Sequence, residues 1–208
     1  MKVSVSFLTS NNIKEDLQKL DKTSTTYIHV DVMDGKFVEK TNEPYDEMKG
    51  LTISKKYDVH LMVEDPMPYI LKYKELNTEY ITIHHEIDKD VFYLLETIKS
   101  YGIKCGIAIN PDTNVDVLKD YLDKVDLILI MSVFPGKGGQ KFIEESINRV
   151  SKTKQMIKES KRDIVINIDG GINDKTISSI KEVDMVVSGS YVLNNDDFEE
   201  RIQTLTNV

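Results

Sequence analysis

Short runs of β-branched and aliphatic residues recur along the chain, each followed by a longer stretch whose apolar positions fall at helical spacing. The runs predict strands over residues 3–8, 27–32, 57–63, 80–84, 103–109, 127–133, 164–168 and 183–187. The stretches between them predict helices near 12–20, 44–54, 66–76, 89–101, 113–123, 141–160, 173–181 and 195–205. The helix at 89–101 has the clearest pattern. Asp88 or Asp90 can cap it, Val91, Leu94, Leu95, Ile98 and Tyr101 form one apolar stripe, and Gly102 stops it. The helix at 141–160 sets Phe142, Ile143, Ile147, Val150 and Ile157 against a Lys- and Glu-rich far side.

Strands alternating with helices imply parallel strands joined by crossovers. Eight such units in 208 residues allow about 26 residues each, the short end of the range for a closed (β/α)8 TIM barrel. The structural rival is an open, doubly wound α/β sheet. No glycine-rich dinucleotide fingerprint follows the first strand, which weakens that rival. No low-complexity tract, Pro-rich linker or composition break divides the chain, so residues 1–208 read as one domain.

Charge narrows the function classes. Lys and Arg number 27 against 35 Asp and Glu, a net charge of −8. An acidic excess spread along the chain argues against nucleic-acid binding, which needs a basic stripe, and against a basic membrane-surface helix. No apolar run approaches the roughly 18 residues of a membrane span, and the start of the chain turns polar too soon for a secretory signal. The single Cys105 excludes an internal disulfide or a cysteine-rich zinc site and fits a reducing cytoplasm.

The active site of such a barrel lies at the carboxyl ends of its strands. His29 and Asp31 end the second predicted strand, His60 the third, His84 the fourth and Asp169 the seventh. Buried charges are costly unless paired or bound to metal. His29 and Asp31, two apart on a strand, share a face. Two imidazoles and two carboxylates converging on a barrel mouth can form a divalent metal site, and mixed N and O donors suit Zn²⁺, Fe²⁺, Mn²⁺ or Co²⁺ better than Ca²⁺ or Mg²⁺. The plainer alternative makes His29 and His60 hydrogen-bonded core residues and Asp31 a turn residue. Four such residues on strand ends favour the site.

Glycine forms a second constellation. Residues 134–140 (Phe-Pro-Gly-Lys-Gly-Gly-Gln) follow the sixth predicted strand, Asp169-Gly170-Gly171 ends the seventh, and Ser188-Gly189-Ser190 ends the eighth. Glycine lets backbone N–H groups approach an anion, and the loops after strands seven and eight often hold phosphate in this fold. Read singly, each glycine only turns a loop; three clusters on consecutive loops favour phosphate. Lys137 either adds charge to that phosphate or is a solvated loop tip. Met33, Met62 and Met131, at the ends of strands two, three and six, read as gap-filling residues whose apolar surface dries the site beneath.

These segments resemble the ribulose-phosphate 3-epimerase family. The stretch from His29 to Gly35 (His-Val-Asp-Val-Met-Asp-Gly), followed by Lys36-Phe37-Val38, resembles its second-strand signature, and Asp58 to Val63 (Asp-Val-His-Leu-Met-Val), with Pro66 after it, its third. Ser6-Phe7-Leu8 and the stretch from Ile81 to His84 with Glu86 extend the match. So do Gly106 to Pro111 with Thr113, Met131 to Val133 with Pro135-Gly136, 138–143, 168–172 and Gly189-Ser190. The matches keep their order from the first strand to the eighth. The mouth departs from the family pattern: Phe134 stands for the usual Asn, Lys137 for an aromatic or small residue, Glu39-Lys40 for Pro-Asn, and Tyr191-Val192-Leu193 for Ala-Ile-Phe.

The resemblance implies a (β/α)8 isomerase of carbohydrate metabolism, in the pentose phosphate pathway, that interconverts D-ribulose 5-phosphate and D-xylulose 5-phosphate. It implies one divalent metal, Zn²⁺ or Fe²⁺ first and Mn²⁺ or Co²⁺ next, on His29, Asp31, His60 and Asp169. Asp31 and Asp169 would also be the acid–base pair. Ser6, His60, Gly136, Lys137, Gly138, Gly139, Gly170, Gly171, Gly189 and Ser190 would meet the substrate. The expected partner is a phosphorylated ketose, with a homo-oligomer also in view and no nucleic acid or membrane. Three alternatives stand beside this reading. The first is a 3-epimerase for a six-carbon ketose phosphate such as allulose 6-phosphate, and the second a non-catalytic sugar-phosphate-binding barrel. The third is a decarboxylase or isomerase of the orotidine or indole kind, although the decarboxylase pattern wants a lysine where the second strand has Val32 and Met33.

Overall fold

Each of the eight predicted runs forms a strand in the computed structural model, which describes residues 1–207. The strands are β1 (Lys2–Ser6), β2 (Tyr27–Asp34), β3 (Thr41–Asn42), β4 (Lys56–Met62), β5 (Thr78–His84), β6 (Lys104–Ile109), β7 (Leu127–Met131), β8 (Val165–Asp169) and β9 (Met185–Ser188). Only the two-residue β3 is unforeseen; it pairs antiparallel with the end of β2. The other eight pair in parallel in the order β1, β2, β4, β5, β6, β7, β8, β9, and β9 pairs back with β1. The ring is closed, which confirms the (β/α)8 barrel and removes the open sheet.

Parallel strands covered on both faces read as near-continuous apolar runs. The alternation inside a run still decides what each face meets. On β7, Ile128 and Ile130 belong to the large core shared with the helices. Leu127, Leu129 and Met131 belong to a smaller cluster with Tyr27, Tyr80, Ala108, Val133 and Met185, to which no helix contributes. That second cluster is the barrel interior. On β2, Ile28, Val30 and Val32 join the outer core. The residues between them, His29 and Asp31, therefore face inward.

The helices are α1 (Ile13–Asp21), α2 (Tyr45–Met48), α3 (Met67–Tyr73), α4 (Val91–Ser100), α5 (Glu145–Ser160), α6 (Ser190–Leu193) and α7 (Phe198–Thr206). Asp90 caps α4 by accepting from Tyr93 N (3.0 Å), and Gly102 ends it at φ +75°. Tyr101 leaves the expected stripe and is 42% exposed, because the chain has already turned out of the helix there.

Four other expectations need correction. The helix expected at 44–54 is a single turn, ended by Gly50 at φ +84°. Residues 113–123 form a 3-10 segment, Val115–Tyr121, whose start Asn114 caps. Of 173–181 only Ile177–Ser179 winds, also as 3-10. There the hydroxyls of Thr176, Ser178 and Ser179 bond to nearby backbone and compete with a regular helix. Residues 141–144 stay outside α5, because Ile143 N donates to Ser132 O (2.9 Å) and ties this stretch to the end of β7. The short α6 follows β9 at the barrel mouth and was not expected. Among the described residues, no helix is long and apolar enough to cross a membrane.

Candidate active site

Register brings the inward polar residues to one level. Asp31 on β2 lies directly across from His60 on β4. Asp169 closes β8 beside Met131 and Val187. His29, Asp31, His60 and Asp169 each present one ligand atom, and these atoms all lie within 4.8 Å of one another. His29 Nε2 is 3.5 Å from Asp31 Oδ1 and 3.9 Å from Asp169 Oδ2. His60 Nδ1 is 3.5 Å and 3.7 Å from the same two oxygens.

The far edge of each imidazole is engaged. His29 Nδ1 is 2.8 Å from Asp58 Oδ2, which also accepts from Ser4 Oγ. His60 Nε2 is 2.8 Å from His84 Nε2, and His84 Nδ1 is 3.0 Å from Glu86 Oε2. The near edges, His29 Nε2 and His60 Nδ1, are buried and have no hydrogen-bond partner among the described residues. Two orphaned imidazole nitrogens facing two carboxylates are a donor set that fits a borderline divalent cation.

Electrostatics separate the two carboxylates. Burial pushes the Asp31 carboxyl up, but His29 and His60 outweigh it and hold the group well below the usual carboxylate range. Ser6 Oγ adds a hydrogen bond to Asp31 Oδ2 (2.6 Å). Asp169 behaves oppositely: burial, and then the neighbouring Asp31 carboxylate, push it up to about 7. Its main-chain carbonyl is fixed by Ser132, which donates from both N (2.8 Å) and Oγ (2.7 Å). Burial disfavours the charged form of His29, yet Asp58 and Asp31 raise it well above the ordinary imidazole value. Burial lowers His60 and brings His84 down to about 4.

Above these residues opens a cavity of about 300 Å³. Ser6, Asp31, Gly136, Lys137, Gly138, Gly139, Asp169, Gly170, Gly171, Gly189 and Ser190 all line it, as do the three methionines. His29 and His60 lie beneath its surface, fully enclosed, so His60 sits with the cluster that could hold a metal rather than against the cavity. Two of the glycines are sterically demanded. Gly171 has φ +67°, and a Cβ there would stand 2.6 Å from Phe142 N. Gly170 has φ +120°, and a Cβ there would stand 2.9 Å from Val133 N.

The model of the ribulose-phosphate 3 epimerase family matches residues 2–193. The chain belongs to that family. A ribulose-phosphate 3-epimerase of Helicobacter pylori strain J99 is 36% identical, with 100% of this chain and 98% of the relative covered. One of Bacillus subtilis is 33% identical over 99% of this chain and 98% of its own. This epimerase-family chain is accordingly an enzyme of the isomerase class. Among solved structures, 3-hexulose-6-phosphate synthase from Salmonella typhimurium superposes with a TM-score of 0.66 at 16% identity, covering 100% of this chain and 97% of that one. At that identity the likeness concerns the fold alone.

Some side chains that support the candidate site escaped the sequence reading. Asp58 and Glu86 appeared only as parts of motifs, and nothing local marked them as partners of His29 and His84. Gln140 was seen as a loop residue. Its Nε2 donates to Phe134 O (2.7 Å) and Lys137 O (2.9 Å), and so clasps the 134–140 loop.

Proposed function

We propose that this chain, acting as one barrel domain, interconverts D-ribulose 5-phosphate and D-xylulose 5-phosphate by moving the proton at C3. The observation that carries the reading is the pairing of two carboxylates from different sides of the mouth, Asp31 on β2 and Asp169 on β8, around two orphaned histidine nitrogens. Inversion at C3 needs a proton taken from one face and returned on the other. One carboxylate per face does this, with Asp31 and Asp169 exchanging roles as the direction reverses. Without a cation the two carboxyls already differ, Asp31 being held low by His29 and His60 and Asp169 raised by burial and by Asp31.

The C3 proton is α to the C2 ketone, so its removal leaves an enediolate. His29, Asp31, His60 and Asp169 would hold a divalent cation, Zn²⁺ or Fe²⁺ first and Mn²⁺ or Co²⁺ next. When bound, it supplies Lewis-acid stabilisation of the developing negative charge. Met33, Met62 and Met131 exclude water from the reacting carbon. The glycine loops at 136–139, 170–171 and 189 present backbone N–H groups to the phosphate, with Ser6, Ser190 and Lys137 beside them. Phosphate binding there fixes the far end of the substrate and so orients C3. The 134–140 loop closes over it as a lid.

The test is D-ribulose 5-phosphate in D₂O with metal-replete protein, followed by NMR. Deuterium at C3 together with a D-xylulose 5-phosphate signal is expected. Absence of both, with metal demonstrably bound, overturns the substrate assignment, and a six-carbon ketose phosphate is then the substrate to try, because Phe134 and Lys137 alter the lid.

A further inference from the structure

His29 and His60 are supported differently. His29 rests directly on a carboxylate, whereas His60 rests on a second histidine. Behind that histidine stands Glu86, just past the end of β5. Glu86 Oε1 accepts from Asn110 N (2.7 Å) and from Thr113 Oγ1, and its Oε2 faces His84 Nδ1 at 3.0 Å. The loop that brings Asn110 and Thr113 to it is itself anchored. The buried Arg149 on α5 donates from Nη2 to Asn110 O (2.6 Å) and Thr113 O (2.9 Å).

Counting protons along this line fixes the tautomers. The Glu86 carboxylate is an acceptor, so His84 carries a proton on Nδ1. One proton lies between His84 Nε2 and His60 Nε2, 2.8 Å apart and both enclosed. A nitrogen that ligates a metal carries no proton, so with metal on Nδ1 the single His60 proton sits on Nε2. His84 must then receive it on a bare Nε2. It can do so because Glu86 holds the His84 proton at the other edge.

We infer that Glu86 and His84 are positioning residues that lock His60 in its Nε2–H tautomer, leaving Nδ1 as a bare lone pair aimed between Asp31 and Asp169. The inference rests on the metal site proposed above and adds residues that do not touch the cation. Outer partners of this kind commonly change metal affinity by about 10- to 100-fold.

Two readouts test it, neither of them turnover. The first is zinc affinity of the metal-free protein, measured by competition with a chromophoric chelator. In Glu86→Gln the amide NH₂ can donate to His84 Nδ1, which frees His84 to carry its proton on Nε2 and drives the His60 proton onto Nδ1. Zinc affinity is expected to fall by about 10- to 100-fold. The second is long-range ¹⁵N–¹H NMR of histidine-labelled, zinc-loaded protein without substitution, which remains decisive if the variant fails to fold. It should show protonated His60 Nε2, protonated His84 Nδ1 and bare His84 Nε2. Unchanged affinity in Glu86→Gln, or a proton on His84 Nε2 in the zinc-loaded protein, overturns the inference and leaves the metal site standing. Failure of the unsubstituted protein to take up any of Zn²⁺, Fe²⁺, Mn²⁺ and Co²⁺ defeats the metal site, and the inference with it.

Discussion

On the side of the mouth formed by β2, β4 and β5, the polar groups are enclosed side chains. Each imidazole there is held by a partner behind it, Asp58 for His29 and the His84–Glu86 pair for His60. On the side formed by the loops after β7, β8 and β9, six of the lining residues are glycines, Gly136, Gly138, Gly139, Gly170, Gly171 and Gly189. A cation with four fixed ligands needs donors of defined angle, which side chains locked by packing and hydrogen bonds supply. A phosphate needs several N–H groups close together, which only backbone without Cβ atoms can bring near. Asp31 belongs to the first side. Asp169 stands where the two meet, more exposed and raised in pKa, with its carbonyl held by Ser132.

Removing a carboxylate should break this division most severely. Asp31→Asn and Asp169→Asn are each expected to lower turnover by about 10³-fold or more, in assays at saturating substrate with metal content measured in parallel. A near-normal rate in either would take that residue out of the proton transfer. Gly171→Ala attacks the other side. Its Cβ would meet the Phe142 backbone at a φ that disfavours any side chain, so we expect KM for the sugar phosphate to rise about tenfold, with stability falling by more than about 1 kcal/mol. Unchanged KM would show that the phosphate does not rest there.

Metal removal sharpens the comparison from the histidine side. At a metal concentration 100-fold above Kd, binding contributes about 2.7 kcal/mol, so a chelator should lower the melting temperature by roughly 5–10 °C. The same chelator should leave the melting temperature of His60→Ala unmoved.

The pH dependence of the metal-free protein isolates Asp169. Its carboxyl titrates near 7 when folded and near 3.8 when free, so the folded state binds the extra proton. The stability it contributes is complete below about pH 3.8 and is lost as pH rises through 7. Asp169→Asn has no such loss, and its melting temperature should rise relative to the parent between pH 4 and 7. Parallel curves would contradict the raised carboxyl. The smallest effect expected is that of Lys137→Ala, a three- to tenfold rise in KM with kcat nearly unchanged and a reduced dependence on salt.

The barrel strands were legible because a parallel strand covered on both faces is a run of apolar residues, and a closed ring needs eight of them. The four clustered positions were legible for a related reason. His29, Asp31, His60 and Asp169 interrupt those runs at their carboxyl ends, where a polar residue needs an explanation. The weaker helices were not legible, because their outcome turns on local competition. Gly50 cuts one short, and hydroxyl-to-backbone bonds from Thr176, Ser178 and Ser179 divert another. The supports of the site were hidden by distance along the chain. Asp58 meets His29 across 29 residues, and His84 meets His60 across 24. No periodicity within a strand announces a bond to the strand beside it.

The most direct measurement is a crystal structure of the protein with zinc and D-xylulose 5-phosphate, with anomalous data collected at the zinc edge. The account predicts one zinc peak bounded by His29 Nε2, Asp31, His60 Nδ1 and Asp169, with the phosphate against Gly139, Gly171 and Gly189. Zinc bound away from those four residues, or a phosphate seated on the β2–β4–β5 side, would contradict it.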